Sequence, residues 1–476
     1  MRAVLTFLSD SEVEQIHEAS LRILKETGVK VYSEKVRKLL AEHGAELNGD
    51  IVKIPSFLVE EAIEKAPKEM NLCARDPGCD LKLSSNDYPF LATSGFCPFV
   101  ITNLETGERR LSTSSDLKDF ALLADYLDTV DFFWPIVIIN ELHPQLQELQ
   151  ALAVSLINNR KHIQCSCVSE KTARWQIALA STIVSSEENL RERPIFSTVT
   201  CPVAPLTFEK DSSEAMVVLA KAGIPIAPGT MVVAATTAPA TLPGPLVVAN
   251  AEELTALVII ECANPGAPMI YALEAAPADM RTGEINYWAP EYPLLCAGAA
   301  QMARFHKLPS QVGDMIIESV ASDIPSFERN ILRLAMSFMS RTNVSIGLGS
   351  RDLGLSASLE QVILDAEACE HARAYLRRFE LNDDTLAVDV IHEVGPGGHF
   401  LDKKHTLEHF RRQIWNRELS NTFILDPVAK GPFLERAKVK VQEILTKHTA
   451  PPLKEDVRRE MDQVLRDAET EIIGNG

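Results

Sequence analysis

Between residues 89 and 350 the chain alternates short apolar or β-branched runs with helical patterns, and this alternation limits its fold more than any other feature. The runs are "PFLATSGF" (89–96), "DFFWPIVII" (131–139), "HIQCSCV" (162–168), "IFSTVTC" (195–201), "IPIAPGTM" (224–231), "PMIYALE" (268–274), "QVGDMII" (311–317) and "NVSIGLGS" (343–350). Helical periodicity fills most of the gaps, at 115–127, 145–158, 171–185, 209–222, 251–263, 291–305 and 327–341. Eight strands alternating with helices are the pattern of a TIM (β/α)₈ barrel. A doubly wound sheet would carry a glycine-rich phosphate turn after its first strand; "TSGFCPF" is not one, and "GLGSRDLG" comes only at the last run. The expected fold is therefore α/β, with a TIM-barrel domain over 86–425. An N-terminal helical extension over 1–85 precedes it and a C-terminal helical segment over 426–476 follows, with one long charged helix expected at 430–472.

The extension shows three helices with readable ends. Ser9 or Asp10 caps a helix closed by Gly28, Ser33 caps one closed by Gly44, and a third runs from Pro55 to Ala66 before Pro67. Residues 222–251 contain no charge and are long enough to span a bilayer, but Pro225, Pro228, Pro239, Pro243 and Pro245 would leave a lipid-facing helix with unpaired backbone. This stretch is read as a buried strand followed by an apolar loop. The net charge of −19 disfavours nucleic acid as a partner, because an acidic surface repels phosphate. Nine scattered cysteines fit reduced thiols, and the N-terminus "MRAVLTFLSDSEVEQ" has no long apolar core, so a cytoplasmic location is expected.

Two metal readings arise. His405-Thr406-Leu407-Glu408-His409 matches H-x-x-E-H, which places two imidazoles on one helix face. A peptidase of that type takes a third ligand from a helix well downstream, and only 67 residues follow His409. The run is read as an exposed helix start. In "HIQCSC", Cys165 and Cys167 share one side of a strand and His162 lies on the other, so one strand cannot chelate with all three; His306 or Cys201 would have to help. No metal bound by the chain itself is expected. Neither G-x-S-x-G nor G-x-x-x-x-G-K-[ST] occurs, so serine hydrolysis and nucleotide hydrolysis have no anchor. What remains is the C-terminal end of the strands, where barrels build their active sites; Phe96, Trp134, Thr200, Thr230, Tyr271, Glu274 and Arg351 are expected there.

Five separated blocks, in order, carry a resemblance: "LSDSEVEQIHEASLRILKETGVKVYSE", "KIPSFLVEEAIEKAP", "ARDPGCDLKL", "TNLETGERRLSTSSDLKDFALLADYLDTVDF" and "EVGPGGHFLDKKHTLEHFRRQIW". Over about 8–425 the chain resembles the trimethylamine methyltransferase family. The resemblance implies a TIM barrel that passes an amine methyl to the cob(I)alamin-type corrinoid of a separate small corrinoid protein. Founding members carry pyrrolysine in the barrel, whereas 317–330 reads "IESVASDIPSFERN" here. Without that residue, the resemblance points to a quaternary amine, which already bears the positive charge that makes a methyl transferable. Glycine betaine, yielding dimethylglycine, is the first expectation. Proline betaine, carnitine and a non-catalytic betaine-binding role are the alternatives. A quaternary ammonium has no N–H, so aromatic faces and carboxylates must recognise it. Phe96, Trp134, Tyr271 and Trp288 are the candidate aromatics, with Glu274 and Glu328 adding negative potential. Arg351 or His399 would hold a betaine carboxylate. The apolar loop 236–248 is a candidate corrinoid-protein docking surface, and a homo-oligomer without nucleic-acid or membrane partners is expected.

Overall fold

The computed structural model describes residues 4–84, 89–314, 333–413 and 433–474. The architecture is α/β. Parallel pairs join Ala92 to Phe132, Phe133 to Ile163, Ile163 to Phe196, Thr198 to Ile226, Ile226 to Met269, Tyr271 to Ser310, Gln311 to Val344, and Val344 to Phe90. The named strands in this series are Phe90–Thr93, Ile163–Ser166, Phe196–Val199, Ile226–Ala227, Tyr271–Pro277, Ser310–Asp314 and Val344–Leu348. The run 131–139 contributes single bridges rather than a strand, because Pro135 removes a donor in its middle.

Two separate cores reflect the alternation of side chains along these strands. One lies under the helices. The other joins Ala92, Phe132, Trp134, Val199, Ala227, Ile270, Ala272, Val344 and Ile346 to Met70, Leu72 and Leu83. The last three belong to the hairpin Met70–Leu72/Leu81–Leu83, so the segment before the first strand of the series is not wholly helical. The hairpin region sits at the N-terminal ends of the strands: Cys73 O meets His162 Nδ1 at 2.6 Å, and the side chain of Asn343 donates to Ser84 O. That end of the inner core is plugged, which leaves the opposite end for a site.

The N-terminal helices begin where the capping residues dictate. Ser9 Oγ accepts from the Glu12 amide, and Glu12 Oε2 accepts from the Ser9 amide at 2.8 Å, setting the start of Asp10–Arg22. The uncharged stretch differs from its sequence reading. The helix Pro243–Ala263 begins at Pro243 rather than near 251, and the apolar loop is confined to 236–242. Pro243 and Pro245 fall within the first turn, whose amides need no partner inside the helix. Helices Asp10–Arg22, Ser56–Lys65 and Lys210–Ala222 pack around it, which explains the lack of charge in its first nine residues; Glu252, Glu253 and Glu261 further along are buried as well. Pro245, Leu246 and Val248 are buried, so they present no docking surface. Among the described residues, no helix is long and apolar enough to cross a membrane.

The C-terminal segment is two helices, Phe433–Lys447 and Glu455–Ile473, rather than one, because Pro451 and Pro452 interrupt the backbone bonding. The first packs on Leu359–Leu376 and Ser114–Tyr126, the second on Glu170–Val184 and Pro144–Asn158.

Candidate active site

At the C-terminal ends of the strands a cavity of about 370 Å³ opens. Ser94, Gly95 and Phe96 come from the turn after Phe90–Thr93, and Trp134 follows the bridge residues Phe132 and Phe133. Val199, Cys201, Thr230, Glu274, Gln311 and Ile346 come from later strands or the turns after them, and Tyr287 comes from the loop after Tyr271–Pro277. Phe96 and Trp134 meet edge-to-face with centroids 5.9 Å apart. Two features hold this pair. Thr93 Oγ1 donates to Trp134 O at 2.5 Å and accepts from the Trp134 amide at 3.1 Å. Gly95 leaves room for the indole, since a Cβ there would stand 2.3 Å from Trp134 Nε1. Phe96 itself is held at φ +83°, a left-handed conformation that side-chain-bearing residues adopt at a cost and that recurs at functional sites.

Glu274 is the cavity's carboxylate. Burial pushes its pKa up; hydrogen bonds from Tyr287 and Tyr292 and the nearby Arg333 guanidinium oppose that rise. The Tyr292 hydroxyl donates to Glu274 Oε1 at 3.3 Å, and Tyr287 and Tyr292 pack edge-to-face at 5.0 Å. Cys201 lines the cavity; although the residue as a whole is exposed, desolvation of its thiol, with Glu253, Glu148 and Glu274 nearby, drives that group up to about 12. It is therefore a neutral thiol near pH 7 rather than a thiolate nucleophile. The buried side-chain oxygen of Gln311 has no partner among the described residues, so the cavity offers an unsatisfied polar group. A smaller cavity of about 150 Å³ shares Phe96 and Trp134 and contains Glu148, whose carboxyl burial raises to about 7.

The structure brings together Phe96, Trp134, Thr230 and Glu274 from the residues expected at this site. It places the others elsewhere. Tyr271 and Glu274 are three apart on one strand, so they face opposite sides. Ile270, Ala272 and Glu274 face inward; Tyr271 is fully buried on the other side and donates from its hydroxyl to Asn250 Oδ1 at 2.8 Å. Trp288 is 43% exposed and does not line the cavity, whereas its neighbour Tyr287 does. Arg351 is 1% exposed and turns away, donating to Gln361 Oε1 at 2.6 Å, which in turn connects to Asp365. Its sequence neighbour Asp352 pairs with Arg109 instead. The His399 side chain is 70% exposed, 3.6 Å from Asp402, and does not line the cavity. Glu328 and the run 317–330 lie outside the described residues. Tyr287, Tyr292, Gly95 and Gln311 were not singled out in sequence. Only "TSGF" carried a hint, a glycine beside an aromatic at a strand end. The cysteine reading also changes: His162 is committed to Cys73 O and Ser197 Oγ, and His306 to Asn250.

Comparison with known proteins identifies the family. The family model described as trimethylamine methyltransferase (MTTB) matches residues 2–472. The chain is 29% identical to the trimethylamine methyltransferase MttB of Desulfitobacterium hafniense (strain DSM 10664 / DCB-2), over 98% of this chain and 95% of that one. It is 28% identical to the glycine betaine methyltransferase of Desulfitobacterium hafniense (strain Y51), over 94% of each. The crystal structure of the Methanosarcina barkeri monomethylamine methyltransferase (MtmB) superimposes with a TM-score of 0.51 at 11% identity, covering all of this chain and 89% of that one, and so supports the fold. A family match over nearly the whole length, on a fold shared with a methylamine methyltransferase, makes this chain a methyltransferase belonging to the trimethylamine methyltransferase family.

Proposed function

We propose that this enzyme moves a methyl group from a quaternary amine, glycine betaine in the first instance, to the cobalt(I) of a corrinoid carried by a partner protein. One observation carries the reading: a single cavity at the strand ends joins the edge-to-face pair of Phe96 and Trp134, the ring of Tyr287 and the carboxyl of Glu274. Aromatic faces and a carboxylate attract a cation that has no N–H to donate, each aromatic contributing about 0.5–2 kcal/mol. The relative named glycine betaine methyltransferase supports the choice of substrate. The cyclic series of parallel strand pairs supports a closed (β/α)₈ barrel, whose C-terminal mouth is the usual place for such a site.

The methyl acceptor supplies the nucleophile. This chain's residues bind the ammonium, turn one methyl toward the mouth and exclude water. As the methyl departs, nitrogen loses its positive charge, so Glu274 and the rings stabilise the bound substrate more than the transition state. Their contribution is to binding and orientation rather than to lowering the chemical barrier. The neutral amine product loses the cation–π attraction, which favours its release.

Incubation of the purified chain with reduced free cobalamin and a panel of amines tests the reading. Methylcobalamin is expected with glycine betaine and not with trimethylamine; the reverse would sink it. One observation favours a second substrate. Among the described lining residues there is no Lys, Arg or His, so a betaine carboxylate would meet only neutral donors. A quaternary amine without a carboxylate therefore belongs in the panel beside proline betaine and carnitine.

Binding is also expected to depend on pH. Burial holds Glu274 protonated above the usual carboxylate range, and a bound cation favours its ionised form. Affinity should therefore rise as pH rises through the raised pKa, with proton release on binding. Calorimetry in buffers of different ionisation enthalpy reads this directly. A flat profile would remove Glu274 from the cation site.

A further inference from the structure

The H-x-x-E-H run does not line the cavity at the strand ends, but the fold gives it a third partner that lies upstream rather than downstream. The helix Lys404–Gln413 brings the His405 and His409 rings to a centroid separation of 4.1 Å at 27°. The short helix Asp383–Leu386 brings Asp384 against them. Asp384 Oδ2 lies 3.1 Å from His409 Nε2, and the Asp384 carbonyl lies 2.9 Å from His405 Nε2. One ligand atom from each of the three residues lies within 4.8 Å of the other two. Tetrahedral ligands about 2.0–2.1 Å from a zinc ion stand about 3.3 Å apart, so small side-chain rotations complete the set. Two imidazoles and a carboxylate with an open position for water are ligands that zinc accepts.

The surroundings give such an ion work to do. Neither Asp383–Leu386 nor Val388–Val394 has a single buried residue, so this lobe orders itself without a core of its own. Cross-linking Asp384 to His405, 21 residues apart, supplies what burial does not, as metals do in other small lobes. The motif's glutamate takes no part: Glu408 pairs with Lys404 at 3.1 Å. We propose that Asp384, His405 and His409 form a structural zinc site that ties the Asp383–Leu386 helix to the Lys404–Gln413 helix, independently of the methyl-transfer cavity.

The test uses the full-length chain, stripped with chelator, reloaded with zinc sulfate and measured by competition with a chromophoric chelator. About one zinc per chain is expected. His405→Ala and Asp384→Asn should each weaken binding by more than the roughly 10–100-fold that loss of an outer partner costs, and Glu408→Gln should leave it unchanged. Asp384 is exposed and both histidines are partly exposed, so circular dichroism should show folded variants. Cobalt(II) substitution should give a tetrahedral visible absorption in the wild type that His409→Ala abolishes. Limited proteolysis within 383–409 should be faster in chelator than in zinc. No zinc above the buffer blank in the reloaded wild type, or equal binding by the His405→Ala/His409→Ala double variant, overturns the site. Neither result depends on activity toward any amine.

Discussion

Replacing Glu274 with Gln is expected to weaken binding of the quaternary amine by at least about 30-fold, equivalent to about 2 kcal/mol, the low end of the cost of removing one member of a buried charge pair. The substitution keeps the side chain's volume and its capacity to accept from Tyr287 and Tyr292, so the cavity should keep its shape. The unliganded protein should be no less stable than the wild type, because burial already disfavours the ionised carboxyl. Kinetics should divide in a characteristic way. KM rises with the loss of affinity, while the rate at saturating amine changes little, since the lost attraction acts mainly on the charged ground state. Steady-state transfer to reduced cobalamin, with calorimetry on the unreacted amine, measures both. A variant that binds normally and transfers slowly would show that Glu274 acts in the chemical step and that the cation site is elsewhere.

Gly95→Ala should have a comparable effect on activity through a different cause. Its added methyl would stand 2.3 Å from Trp134 Nε1 and 2.8 Å from Cε2, closer than packed atoms approach. The backbone of Trp134 is pinned by Thr93 on both its amide and its carbonyl, so the indole must turn while its main chain stays. Such overpacking costs about 1–3 kcal/mol of stability. The rotated ring would also lose its edge-to-face contact with Phe96 and intrude on the cavity it lines. A decrease of at least about tenfold in kcat/KM is expected, since about 1.4 kcal/mol of lost positioning suffices for it. Thermal unfolding measured beside kinetics separates the two effects. Unchanged kinetics would show that the indole does not hold the reacting methyl.

The sequence was informative where one local rule governed the outcome. Ser9 and Thr113 set helix starts through their capping boxes, and seven of the eight runs expected to be extended contain named strands at or near their quoted bounds. It misled where the neighbours of a segment decided its state. The stretch 236–248 contains prolines that suggest a loop, yet its second half is the first turn of a helix because Pro243 and Pro245 fall where amides need no partner. The charged C-terminus has the periodicity of one helix, and Pro451 with Pro452 divides it.

Read alone, the sequence determined that this chain is an α/β protein and that its family transfers methyl groups, and it directed the search for a site to the strand ends. Those conclusions rest on residue periodicity, cap chemistry and ordered blocks, all properties of neighbours along the chain. Only the tertiary structure decided which side chains meet. Tyr287 enters the cavity while Tyr271 and Trp288 do not, because alternation along a strand and the path of a loop set which way each ring points. Arg351 spends its guanidinium on Gln361, and Asp384 reaches back to His405 and His409, because partners many residues apart become neighbours only once the chain is packed.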